Sequence, residues 1–227
     1  MKKFPLVATI LSVLIFLSCK KDVKELPVAP DDLNTTNYRV TFNINWNSTD
    51  FPTDYPTNAH FSRLIGWSHQ STSEFFKEGT LASEGIRKMA ELVATTPLDN
   101  EINERIATKE GLGLYVGSNL STGVGQIIID VVVDKYHPSV TLATMLAPSP
   151  DWYLAVVNVN LLENNQFVTT KTVDGIVYDA GTDDGASYSS PNVNTYPRRA
   201  ISYFVSTPLG NDTVVSLSIA TITFIKL

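Results

Sequence analysis

The chain has 227 residues, among them 12 glycines, 12 prolines and one cysteine, and carries a formal net charge of −6. An acidic chain offers no basic face to a phosphate backbone, which excludes a nucleic-acid partner, and a lone cysteine excludes an intrachain disulfide. Stability must come from packing in one sizeable core or two small ones, or from bound metal.

Lys2 and Lys3 precede an apolar run over 6–17. That run is shorter than the roughly 20 residues of a membrane-spanning helix and has the length of a signal-peptide core. It ends in FLSC, which resembles a bacterial lipobox, so residues 1–18 are predicted to be a signal peptide and Cys19 a lipidated N-terminus. The expected location follows: exported and lipid-anchored in the cell envelope, with the outer-membrane surface one candidate face. Residues 19–37 are charged, carry prolines and show no apolar period. They read as a flexible tether, which leaves 38–227 as the folded domain.

Strand signals dominate that domain. In YRVTFNINW, Tyr38, Val40, Phe42, Ile44 and Trp46 alternate with Arg39, Thr41, Asn43 and Asn45, the period of a half-buried strand. Runs rich in β-branched and aromatic residues recur at 127–133, 139–146, 152–162, 167–173, 200–206 and 213–227. Turn residues such as ENN and PLGND separate them, which predicts short antiparallel connections and closure as an all-β sandwich.

One or two short helices are expected near 80–108. TLASEGIRKMAELVA places Ile86, Met89, Ala90 and Val93 on one face. TPLDNEINERIA offers Thr96 as N-cap, Pro97 as first helical residue and Asp99 three positions on. Both stripes read as lids on a core. No repeat and no second domain is evident.

Catalytic patterns are weak. GWSHQ sets Ser68 beside His69 but lacks the second glycine of a nucleophile elbow, and chain neighbours seldom form a nucleophile–base pair. His60, His69 and His137 lack the spacing of a zinc site. GLGLYVGSNLSTGVG misses the dinucleotide-binding spacing and reads as a flexible loop between strands. Trp46, Trp67 and Trp152 lie in or beside apolar runs, which favours core packing over sugar stacking.

The stretch YDAGTDDGASY crowds Asp179, Asp183 and Asp184 between Tyr178 and Tyr188. On an extended strand Asp179 and Asp183 would lie about 13 Å apart, too far to share an ion, but Gly181 and Gly185 permit a curl. Glycine at the third position and Ser190 at the twelfth rule out an EF-hand. PSPDW supplies a further acid, Asp151, at the mouth of the next strand. A solvated turn and a divalent-cation loop both fit these residues.

HFSRLIGWSH (60–69), EGTLASEGIRKMAE (78–91), PSPDWYLAV (148–156) and DAGTDDGASYSSPNVNTYP (179–197), in that order, resemble the spondin N-terminal domain family. The resemblance spans roughly residues 38–206. It implies an antiparallel C2-like β-sandwich that binds Ca²⁺ through the aspartates at positions 151, 179 and 183, namely Asp151, Asp179 and Asp183. Asp184 stands where the family often has serine and is expected to stay outside the ligand set. Tyr178 stands where the family usually has tryptophan, and cysteines typical of its animal members are missing. The function expected is a non-enzymatic binding or adhesion module on the envelope, with an unidentified protein or glycan ligand. Its rivals are an envelope polysaccharide hydrolase, using calcium or His60 and His69 with acids such as Glu74, Glu78 or Glu84, and a carbohydrate-binding module.

Overall fold

The computed structural model describes residues 35–227. The signal peptide, Cys19 and most of the tether lie outside the described residues. In chain order the strands are β1 (Thr36–Asn45), β2 (His60–Phe61), β3 (Ile65–His69), β4 (Gly111–Val116), β5 (Val124–Val133), β6 (Ser139–Ala147) and β7 (Trp152–Asn160). There follow β8 (Leu162–Glu163), β9 (Gln166–Phe167), β10 (Thr170–Asp174), β11 (Ile176–Asp179), β12 (Ser202–Tyr203) and β13 (Ala220–Lys226). Helices α1 (Glu84–Leu92) and α2 (Leu98–Ala107) stand between β3 and β4.

The strands form an antiparallel sandwich. One sheet runs β10-β13-β1-β5; the other runs β12-β11-β7-β6-β3-β4, with β2 paired to β6. The alternation in β1 decides which face meets the second sheet: Val40, Phe42 and Ile44 turn inward with Ile127, Val131, Ile222 and Phe224, against Leu142, Leu146, Leu154 and Val156. The larger sheet is apolar on its other face as well. There Ile65, Trp67, Met145, Tyr153 and Tyr178 pack against Phe76, Ile86, Met89, Leu98 and Ile102. Sheet, sheet and helices make three layers, and β6, at the centre, is buried along its whole length.

The helices are held mainly by burial, each large buried side chain contributing at most about 1.5–3 kcal/mol. Ser83 caps α1 by accepting from the N–H of Ile86 at 3.2 Å. Glu101 of α2 adds a carboxylate at the same helix start, accepting from the N–H of Gly85 at 2.7 Å and from the Ser83 hydroxyl at 2.6 Å. An anion there complements the helix dipole and locks the two helices together. Val93, expected on the buried face of α1, instead ends it in the left-handed region at φ 56° and is 47% exposed. At α2 the cap moves by one residue, to Pro97, and the Thr96 hydroxyl goes to the Asp99 carboxylate at 2.8 Å.

Two further expectations change. The glycine-rich segment read as a loop contains β4, because Leu114 and Val116 face the helical layer while Tyr115 faces the sandwich core, a period of two that the glycines obscure. The run over 213–227 is strand only from Ala220 onward. Ahead of it the Asn211 side chain accepts from the N–H groups of Thr213 and Val214, a local turn that competes with a ladder.

Candidate metal centre

Asp151 directly precedes β7 and Asp179 ends β11. These strands are antiparallel neighbours with Asp179 opposite Trp152, so the pairing itself carries both acids to one end of the larger sheet. Asp151 is fully buried. Its Oδ2 accepts from the N–H of Thr182 at 2.6 Å, the Thr182 hydroxyl at 3.1 Å and the N–H of Asp183 at 3.0 Å. Its Oδ1 has no hydrogen-bond partner among the described residues, nor has the buried hydroxyl of Tyr153.

The electrostatics follow from that burial. Loss of water pushes the Asp151 carboxyl up to about 7; the charge of Asp179 adds to the rise and the donors from Thr182 and Asp183 oppose it. Asp179 is also raised, first by burial, against the pull of the Gly181 N–H and of Arg199. Tyr153 ionises only well above its ordinary range, because of burial and then of Tyr178, Asp151 and Asp179.

Backbone geometry holds the acidic loop against the site. Gly181 adopts φ 72°, and a Cβ there would lie 2.3 Å from the carbonyl oxygen of Arg199, so the curl needs glycine. Gly185 serves differently: a Cβ would meet the Pro150 ring at 2.6 Å, so its role is close approach, not a left-handed turn. Segment 193–199 backs the loop, with the N–H of Thr195 donating to the Thr182 carbonyl at 3.0 Å and that of Arg199 to the Gly181 carbonyl at 2.9 Å.

The structure brings Asp151 and Asp179 together and treats Asp183 differently. Asp183 reaches Asp151 through its backbone N–H, while its own carboxylate accepts from the N–H groups of Gly185 at 2.8 Å and Val193 at 3.3 Å. Among the described residues no three His, Cys, Asp or Glu side chains already converge on one point. Asp184 turns outward to Arg199 and to the Thr195 hydroxyl. A cation nevertheless fits the donors present. A buried carboxylate oxygen without a partner, a second carboxylate beside it and no imidazole or thiolate suit a hard, oxygen-seeking ion.

Thr182 and Tyr153 escaped sequence reasoning although signals existed. Thr182 lies inside the acidic motif, and Tyr153 is two residues past Asp151, hence on the same face of the strand. Arg199, whose backbone anchors Gly181, left no local signal.

The rival chemistry finds little support. His69 is buried, with Nε2 at 2.8 Å from the Thr141 hydroxyl and Nδ1 at 2.7 Å from the Gln70 carbonyl, and burial lowers its pKa to about 4. Ser68 contacts the Tyr115 hydroxyl at 3.2 Å, not His69. His60, on β2, contacts the Asn58 carbonyl. Trp46, Trp67 and Trp152 are at most 1% exposed, which leaves no face for a sugar. Glu74 and Glu78 line a cleft of about 410 Å³ with Tyr178 and Tyr203; Glu84 pairs with Arg87 at the start of α1.

The Spondin_N family model matches residues 36–214. Human Spondin-2 is 30% identical over 173 residues, covering 74% of this chain and 52% of that protein. Mouse Spondin-1 is 32% identical over 176 residues, covering 74% of this chain and 21% of that protein. The match spans about half the length of Spondin-2 and about a fifth of Spondin-1. Among the described residues no helix is long and apolar enough to cross a membrane.

The raised carboxyl has a measurable consequence. In metal-free buffer the native state keeps the Asp151 proton up to about pH 7, whereas the unfolded chain releases it near 3.8. The native state thus binds more protons than the unfolded state between those values, and Asp151 makes stability fall as pH rises through this window, by about 4 kcal/mol in total. Urea unfolding at pH 4.5 to 7.5 should show that decline against Asp151→Asn as reference; parallel profiles for the two proteins contradict it.

Proposed function

The chain belongs to the Spondin_N family, and on that premise we propose that it is a calcium-supported, non-enzymatic binding or adhesion module held on the bacterial cell envelope. The single observation carrying the calcium reading is the fully buried Asp151, whose Oδ1 lacks a partner among the described residues while Asp179 presses on it electrostatically. Ca²⁺ supplies the positive charge that the buried Asp151 and the half-buried Asp179 need and takes hard oxygen ligands at about 2.4 Å.

Asp151 and Asp179 are the ligands from the ends of β7 and β11, and Asp183 is the third, its carboxylate exchanging the N–H groups of Gly185 and Val193 for the ion. The loop thereby becomes a clasp between two strands. Asp184, engaged by Arg199 and Thr195, stays outside the set. The locked His69 and the diversion of Ser68 to Tyr115 support a binding role over hydrolysis. The ligand that the module binds is an envelope or extracellular protein or glycan.

Calcium binding to the folded form alone adds about 2.7 kcal/mol at a hundredfold excess over Kd, roughly 5–10 °C in melting temperature for a domain of this size. Asp151→Asn, Asp179→Asn and Asp183→Asn should lose that shift, Asp184→Asn should keep it, and magnesium should substitute poorly. Melting curves that superimpose in calcium and in EDTA would return the loop to a plain turn.

The proposed anchor is Cys19, which lies outside the described residues. Cys19→Ser should release the protein from the membrane fraction with its β-rich circular dichroism unchanged. Continued membrane association would refute lipid anchoring at this residue.

A further inference from the structure

The two edges of the smaller sheet are unlike. The β10 edge is five residues long and carries Lys171 and Asp174. The β5 edge is ten residues long and reads VGQIIIDVVV, with Val124 and Ile128 about half exposed on its solvent face. Long apolar edges invite further strands.

The ladder fixes which β5 peptide groups point outward. Asn37 and Asn45 of β1 bond toward the β13 side, so the alternate residues from Thr36 to Ile44 pair with Val133 to Gly125 of β5. The N–H and C=O groups of Val124, Gln126, Ile128, Asp130 and Val132 therefore face away from β1. Both ends of this row are closed from within the chain. The Tyr115 hydroxyl accepts from the N–H of Val132 at 2.9 Å and donates to its carbonyl at 2.8 Å. The Thr122 hydroxyl donates to the Val124 carbonyl at 2.7 Å. Between these caps, the peptide groups of Gln126, Ile128 and Asp130 have no partner on the open side among the described residues.

We propose that this open stretch of β5 is a homodimer interface, pairing antiparallel with the same stretch of a second copy about a two-fold axis at Ile128. The row is complementary to itself. Ile128 faces its own counterpart, so that two half-exposed apolar side chains cover each other. Gln126, whose Nε2 donates to Asn43 Oδ1 at 2.7 Å, faces the partner's Asp130, whose carboxylate Arg39 holds at 2.9 Å on the solvent face. Val124 faces the partner's Val132, and these are the two positions already capped, so the open lengths of the two copies match. The Ile128 pair and the two Gln126–Asp130 pairs each exchange two hydrogen bonds, while the Val132 groups stay with the Tyr115 hydroxyl at each end of the overlap. A foreign strand gains the same backbone bonds but has no reason to end at both caps.

Sedimentation equilibrium of the whole chain carrying Cys19→Ser, so that no thiol cross-link imitates association, tests the register. The expected result is a monomer–dimer equilibrium that Gln126→Lys tightens and Gln126→Asp loosens, each by roughly fivefold, because each change places two symmetry-related pairs with or against the partner's Asp130. Ile128→Arg opposes two like charges across the axis and should abolish the dimer. Both substituted edge positions, 126 and 128, are exposed, and circular dichroism checks that the fold is kept. Monomer at every concentration, or association that ignores the sign of the charge at position 126, overturns the proposal.

Discussion

A carboxylate without water around it organises one end of this molecule. Asp151 is fully buried where β7 begins, and three donors from Thr182 and Asp183 converge on one of its oxygens. Those donors fix the acidic loop, and the loop in turn fixes segment 193–199 through Gly181, Thr182 and Asp184. The strand pairing that places Asp179 opposite Trp152 adds a second carboxylate at the same sheet end. A site so built is strained electrostatically when empty of positive charge, and the protein answers by keeping a proton on Asp151.

The three-layer architecture explains why this burial is possible. Tyr153 and Tyr178, next to the two acids along β7 and β11, stack on each other at 5.4 Å between centroids and are covered edge-on by Phe76. Phe76, in the connection between β3 and α1, thus covers the sheet end beside the carboxylates. On the opposite face Trp152 stacks on Phe204 at 3.8 Å and meets Tyr188, so the same strand start is clamped from both sides.

Much of the sandwich was legible because it rests on period two. The alternation from Tyr38 to Asn45 and the β-branched runs at 127–133, 139–146 and 152–160 lie on strands, since a half-buried sheet face demands that pattern. β4 was hidden, because its glycines lower strand propensity and only Leu114, Tyr115 and Val116 carry the alternation. The run before Ala220 misled in the other direction, its valines outweighed by the Asn211 turn. At the site, Asp151 was legible at the mouth of a strand, whereas Asp179 and Asp183 came from the acidic motif and the family resemblance. The orientation of the Asp183 carboxylate was not legible: it depends on side-chain torsions and on Gly185 and Val193 competing for it.

The central claim is that the Asp151 proton and a calcium ion occupy the same electrostatic need. Isothermal titration of calcium into the protein, in buffers of different ionisation enthalpy, counts the protons that binding displaces. Near pH 6, where Asp151 holds its proton, close to one proton should leave per ion bound from this group, and the release should fade as pH rises past about 7. Calcium binding that releases no protons at pH 6, or releases equal numbers at pH 6 and 8.5, contradicts the account.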